Sequence, residues 1–139
     1  MNKRRGVALL SVIIIVSLLM SLAVIMAKMV YNEHGTAVNL LRREEAFWLA
    51  EAGLAAGKVK LVQNPDWYTD LPHYPEDDSH WLKEEARGIV ESLGSGEYKI
   101  IREKDQNQLF AVGHKGRSRV VLKIELFFSP FRSTNWAEI

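Results

Sequence analysis

The fold turns on residues 7–27, VALLSVIIIVSLLMSLAVIMA, and on the thirty-five residues behind them. The twenty-one residues of this run include no charge, no proline and no glycine; eighteen are apolar and three are serines, Ser11, Ser17 and Ser21. As a helix rising about 1.5 Å per residue, the run spans about 30 Å, the thickness of a bilayer's hydrocarbon core. Lys3, Arg4 and Arg5 precede it. Such a cluster holds the N-terminus on the cytoplasmic side and sends the remainder outward. Lys28 at the far end has a stem long enough to reach the interface. One membrane crossing is expected. A cleavable secretory signal shares the basic start and apolar middle, and Ser21-Leu22-Ala23 would supply its small residues. The run is longer than a usual signal core, however.

The helix is expected to continue well past the apolar run. From Lys28 to Val62 there is no proline, and Val30, Ala37, Leu41, Trp48, Ala52, Ala55, Val59 and Val62 recur at helical spacing. Arg42, Arg43, Glu44, Glu45, Glu51, Lys58 and Lys60 lie mostly off that stripe. Asn64-Pro65 supplies the stop, because proline disfavours helix in the residue before it. Residues 7–62 then form one helix on the order of 80 Å long, apolar all round at first and amphipathic later. Gly35 is expected to loosen the helix near Tyr31 to Thr36. Gly53 and Gly57, with Ala46, Ala50, Ala52 and Ala56, form a surface of small side chains suited to close packing against a sheet.

Past the helix, NPDWYTDLPHYPEDDSH (residues 64–80) reads as an irregular acidic loop with three prolines. Residues 79–93 read as a short helix capped by Asp78 or Ser79, with Leu82, Ala86, Ile89 and Leu93 on its apolar face and Gly94 ending it. Three strands are expected between residues 97 and 128, at Tyr98–Arg102, Leu109–Val112 and Arg119–Phe128. The tail from Pro130 to Ile139 gives no signal. The expected class is α+β: a long N-terminal helix, membrane-spanning and then amphipathic, packed on a small C-terminal antiparallel sheet.

Composition narrows the function. The chain's 139 residues suit one domain, and a net charge of +1 offers no excess of cations to neutralise a row of phosphates. Direct nucleic-acid binding is not expected. With no cysteine there is neither a disulfide framework nor a thiolate site. His34, His73, His80 and His114 fall in separate elements, and no nucleophile motif, P-loop or dinucleotide fingerprint occurs. No catalytic residue and no cofactor is expected. Asp66, Asp70, Glu76, Asp77 and Asp78 could supply oxygen ligands to calcium. The alternative for them is an ordinary solvated loop. Trp67, Tyr68 and Tyr74 either mark a contact surface or pin that loop to the domain. Arg42-Arg43 and Glu44-Glu45 either pair with neighbouring subunits or form a solvated face.

The order of these parts resembles the type IV pilin superfamily, in particular the PilX-type minor pilins and the related tip pseudopilin of type II secretion. Lys3-Arg4-Arg5-Gly6 followed by Val7-Ala8-Leu9-Leu10 is similar to a prepilin leader and cleavage site. Ala46-Phe47-Trp48-Leu49-Ala50-Glu51-Ala52-Gly53-Leu54 resembles that branch's alanine-rich segment, and residues 111–119, AVGHKGRSR, its late hairpin. The resemblance implies that prepilin peptidase cuts between Gly6 and Val7 and that Val7 is then N-methylated. It implies other pilin or pseudopilin subunits and the inner membrane as partners. It divides the chain into a leader (1–6), a transmembrane or filament-core helix (7–27), an amphipathic half (28–63) and an α+β head (64–139). The length is short for the inserted domain of the secretion tip protein, which favours a minor pilin. One position departs from the pattern: where major pilins carry glutamate five residues after the cut, this chain has Ser11. That change fits a tip or priming subunit better than a filament body. It equally fits a single-pass anchored protein that binds a ligand or partner without assembling.

Overall fold

The computed structural model describes the backbone of residues 3–128 and 131–139. The side chains of residues 3–8, 131 and 135 lie outside the described set, as does Pro130 at the start of the tail. The chain divides into two compact units, Met1–Val38 and Asn39–Ile139, and α1 (Lys3–Gln63) contributes to both.

Over its described residues the first unit is helix alone. Within it Ser17 donates to the Ile13 carbonyl at 2.8 Å, Ser21 to that of Ser17 at 2.9 Å and Thr36 to that of Asn32 at 3.0 Å. Such bonds to the preceding turn let a hydroxyl sit in hydrocarbon without an unpaired polar group. The expected loosening around Gly35 is absent. The helix passes through it unbroken, so the roughly 1 kcal/mol that a helical glycine costs is outweighed by its helix-forming neighbours. α1 stops at Gln63, directly before Asn64-Pro65, where the sequence places the stop.

The second unit is built on a five-stranded antiparallel meander, β1 (Ile89–Leu93), β2 (Gly96–Ile101), β3 (Gln108–Lys115), β4 (Ser118–Phe128) and β5 (Phe131–Glu138), paired in that order. Gly94 and Gly116, at φ of 63° and 61°, turn the β1–β2 and β3–β4 hairpins. Strand alternation sorts the side chains into two cores. Tyr98, Ile100, Leu109, Ala111, Val120, Leu122, Ile124 and Leu126 meet α1. Ile101, Phe110, Val112 and Val121 meet Leu82 and Ala86 beneath α2 (Ser79–Glu84). The sheet is thus covered on both faces, which is why β3 is buried almost throughout.

Close approach of α1 to the sheet is as expected from its small residues, but the docking stripe is not the expected apolar one through Trp48, Val59 and Val62. Ala46, Leu49, Ala50, Leu54 and Leu61 are buried, whereas Trp48, Val59 and Val62 are more than half exposed. A Cβ on Gly53 would lie 3.1 Å from Ala111 and from Tyr98, and one on Gly57 2.8 Å from Leu109. The tightest point is Gly113, where a Cβ would fall 1.8 Å from the Ala46 carbonyl oxygen. Shape decides here: the glycines and alanines let the two backbones approach, and a stripe containing Trp48 would hold them apart.

One further expectation needs correction. Helix was expected over 79–93, but α2 ends at Glu84 and residues 89–93 form β1, paired with β2 from Ile89↔Ile100 to Leu93↔Gly96. Apolar residues at 89 and 93 satisfy helical spacing, yet cross-strand pairing decides their state. The three strands expected between residues 97 and 128 form as β2, β3 and β4, and β1 and β5 extend the sheet at its two edges. The tail supplies β5, whose exposed Arg132, Ser133, Thr134 and Trp136 show no apolar alternation. As expected, Asp78 caps α2, accepting from the His80 and Trp81 amides at 2.9 and 3.1 Å.

Candidate functional site

From Leu9 to Val30 the large apolar side chains of α1 are between 47% and 69% exposed, on every side of the helix. In water such a surface is strongly unfavourable, at roughly 25 cal/mol per Å² of apolar area. Length and composition together make this helix able to cross a membrane. Ser11 stands on the exposed surface and carries no charge. Gly6 and Val7 fall in helical backbone, and their surroundings lie outside the described residues.

In the head, the loop after α1 is held by two charged residues that strand periodicity does not single out. Arg102 is 6% exposed and Glu103 2%. One Arg102 nitrogen donates to the Pro65 carbonyl at 2.6 Å and also to that of Trp67, and its guanidinium lies 5.2 Å from the Phe128 ring centre. The Arg102 backbone is tied to the same loop: the Thr69 amide donates to its carbonyl at 2.8 Å, and its own amide to the Thr69 hydroxyl at 3.0 Å. Glu103 accepts from the His73 amide at 3.0 Å, and the His73 ring stacks on Trp81 at 4.1 Å. Arg102 and Glu103 follow directly on the end of β2 at Ile101. Both can be buried only because the loop and Phe128 close over them, a tertiary fact with no local signature.

The loop acids do not pool into one site. Asp70 accepts from the Leu71 and Arg87 amides at 2.9 and 2.8 Å, and Asp77 takes the Lys123 ammonium at 2.8 and 2.7 Å. Asp78 is the α2 cap, 3.7 Å from the His73 ring. Asp66 acts on Arg102, and Glu76 on Glu103, through charge. Among the described residues no three metal-ligating side chains gather, so the acids that could have supplied calcium ligands find no common centre. The Arg42–Glu45 stretch is likewise partly committed within the chain. Arg43 pairs with Glu138 at 2.7 Å and Glu45 with Lys115 at 2.8 Å.

Burial raises the Glu103 pKa above the ordinary glutamate value; the His73 amide and ring oppose this, while the charges of Asp70 and Glu76 add to it. The folded state therefore holds this proton more tightly than the unfolded one. Its contribution to stability is complete below the ordinary value and is lost as pH rises through the raised folded value. Glu103→Gln keeps an acceptor for the His73 amide and removes the charge. Melting followed by near-ultraviolet circular dichroism should show a gain of a few degrees at pH 8 that shrinks at pH 4. A larger gain at pH 4 would contradict this account.

No family model matches the chain, and neither a curated protein nor a solved structure matches it. The class defined by fold and surface is an α+β protein whose one long helix combines a stretch fit to cross a membrane with a stretch docked on an antiparallel sheet.

Proposed function

We propose that the chain is a minor pilin or pseudopilin. On this reading it is cut by a prepilin peptidase between Gly6 and Val7, N-methylated at Val7, and held in the inner membrane with its N-terminus cytoplasmic and its head outside. From there it enters a type IV pilus-like filament alongside other pilin or pseudopilin subunits. The observation that carries the proposal is the unbroken α1, whose bare apolar surface precedes the stretch packed on the sheet through small residues. Packing such helices side by side exchanges lipid contacts for helix contacts, which suits extraction from a bilayer into a filament core.

Ser11 refines the position within the filament. A carboxylate in lipid is costly unless a cation meets it, and the resemblance assigns that cation to the N-terminus of a neighbouring subunit. Ser11 has no charge to offer that N-terminus, which favours the tip or the assembly-priming complex over the repeating body.

The test is the mature N-terminus of the full chain co-expressed with a prepilin peptidase, read by intact mass and N-terminal sequencing. A methylated Val7 is expected. An N-terminus near Val24 would mean signal cleavage, and retained Met1 would leave a membrane-anchored binding protein that does not assemble.

A further inference from the structure

On the sheet face that carries α2, four elements bring basic side chains to one cavity. Lys83 of α2, Lys99 of β2, His114 of β3 and Arg119 of β4 line a space of about 130 Å³, together with Glu97. Engineered cavities of roughly 150 Å³ hold benzene, so this one has room for a single compact group. Two of the basic residues already have acidic partners: Arg119 pairs with Glu84, and His114 Nδ1 lies 2.9 Å from Glu97. The other two do not. Among the described residues neither Lys83 nor Lys99 has a carboxylate within ion-pair distance.

Lys99 is the more informative of the pair. Its ammonium is partly buried and donates to the Lys83 and Ala86 carbonyls at 3.3 and 3.2 Å, which occupies two of its three N–H groups. Burial pulls its pKa below the usual lysine value, repulsion from Arg119 adds to the shift, and Glu84 opposes it. A charge taken from water without a counter-ion is costly, and an unbranched apolar side chain would fill the same space without that cost. An anion in the cavity would meet the remaining N–H of Lys99 and the ammonium of Lys83, and would offset the repulsion between Lys99 and Arg119. Glu97, the acidic group on the cavity wall, is engaged by His114.

We infer that this cavity binds a compact tetrahedral oxyanion, a phosphate or sulfate group, through Lys83, Lys99 and Arg119. The group has two sources, the free inorganic ion or an ester on a small carrier, and the chemistry of recognition is the same for both.

Calorimetric titration of the full chain in non-ionic detergent at pH 7 tests this, with inorganic phosphate in one arm and glycerol phosphate in the other. Sodium chloride at matched ionic strength is the control. Saturable one-site binding is expected in at least one arm, and the arm that binds more tightly identifies the source. Lys99→Met and Lys83→Gln should each weaken binding about tenfold, the loss of one charge-assisted hydrogen bond. Should Lys99→Met lose its near-ultraviolet spectrum, Lys83→Gln, on the rim of the same cavity, decides alone. Heats no different from chloride in both arms, or unchanged affinity in the folded variants, would overturn the assignment.

Discussion

Gly113→Ala is expected to destabilise the head by about 3 kcal/mol or more, because the added methyl has nowhere to go. Its Cβ would fall 1.8 Å from the Ala46 carbonyl oxygen, 2.6 Å from the Ala50 nitrogen and 2.9 Å from the Ala46 carbonyl carbon. All three are main-chain atoms of a helix, so no side chain can rotate aside. Relief requires α1 to lift from β3, and lifting opens the packing of Leu49, Leu54 and Leu61 against the sheet. Overpacking in a tight core costs about 1–3 kcal/mol where side chains can yield, and here they cannot. Gly94→Ala is the comparison. Gly94 has φ of 63° and nothing within 4 Å, so only the left-handed strain of about 1–2 kcal/mol applies. Urea unfolding of both variants measures the difference, with the midpoint falling and the slope unchanged. Equal losses in the two would show that α1 is free to move off the sheet.

Arg102→Met should have the second largest effect, about 2–3 kcal/mol. Methionine keeps much of the apolar stem but abandons the Pro65 and Trp67 carbonyls and the contact with Phe128. The bonds of Thr69 to the backbone of residue 102 remain. The loss should therefore concentrate at the start of the loop. Amide hydrogen exchange is the discriminating measurement, with protection falling over residues 64–70 and holding in β3 and β4. A uniform loss across the sheet would instead make Arg102 a general core residue.

The contrast between these two sites shows what could be read in advance. Charge-free length is a property of contiguous residues, so 7–27 and the stop at Pro65 are visible in the sequence and α1 results from them. The docking face of α1 is visible in part: its glycines and alanines mark where the sheet approaches, but the apolar stripe through Trp48, Val59 and Val62 does not. Hydrophobicity alone favours Trp48, Val59 and Val62, while the sheet takes Leu49, Leu54 and Leu61 interleaved with the small residues Ala46, Ala50, Gly53 and Gly57, which set how close the backbones come. Residues 89–93 suit either a helix or a strand taken locally. Gly88 holds the clue, since a Cβ there would lie 2.6 Å from the Ile100 carbonyl oxygen and the chain must enter β1 without one. Arg102 and Glu103 are harder still. Their burial depends on a loop some thirty residues upstream or more, and no local pattern encodes that pairing. The basic cavity has the same character, with contributors at positions 83, 99, 114 and 119 and no spacing to announce it.

The Gly113 contact also has a mechanical consequence. β3 is the middle strand of the meander, bonded to β2 on one side and to β4 on the other. Main chain presses on main chain there, with no pliable side chain between to act as a cushion. Traction on α1 at this contact therefore enters the sheet at an interior strand and is shared between two hydrogen-bond ladders. An edge strand such as β1 could be unzipped one bond at a time; β3 can yield only by losing both neighbours together.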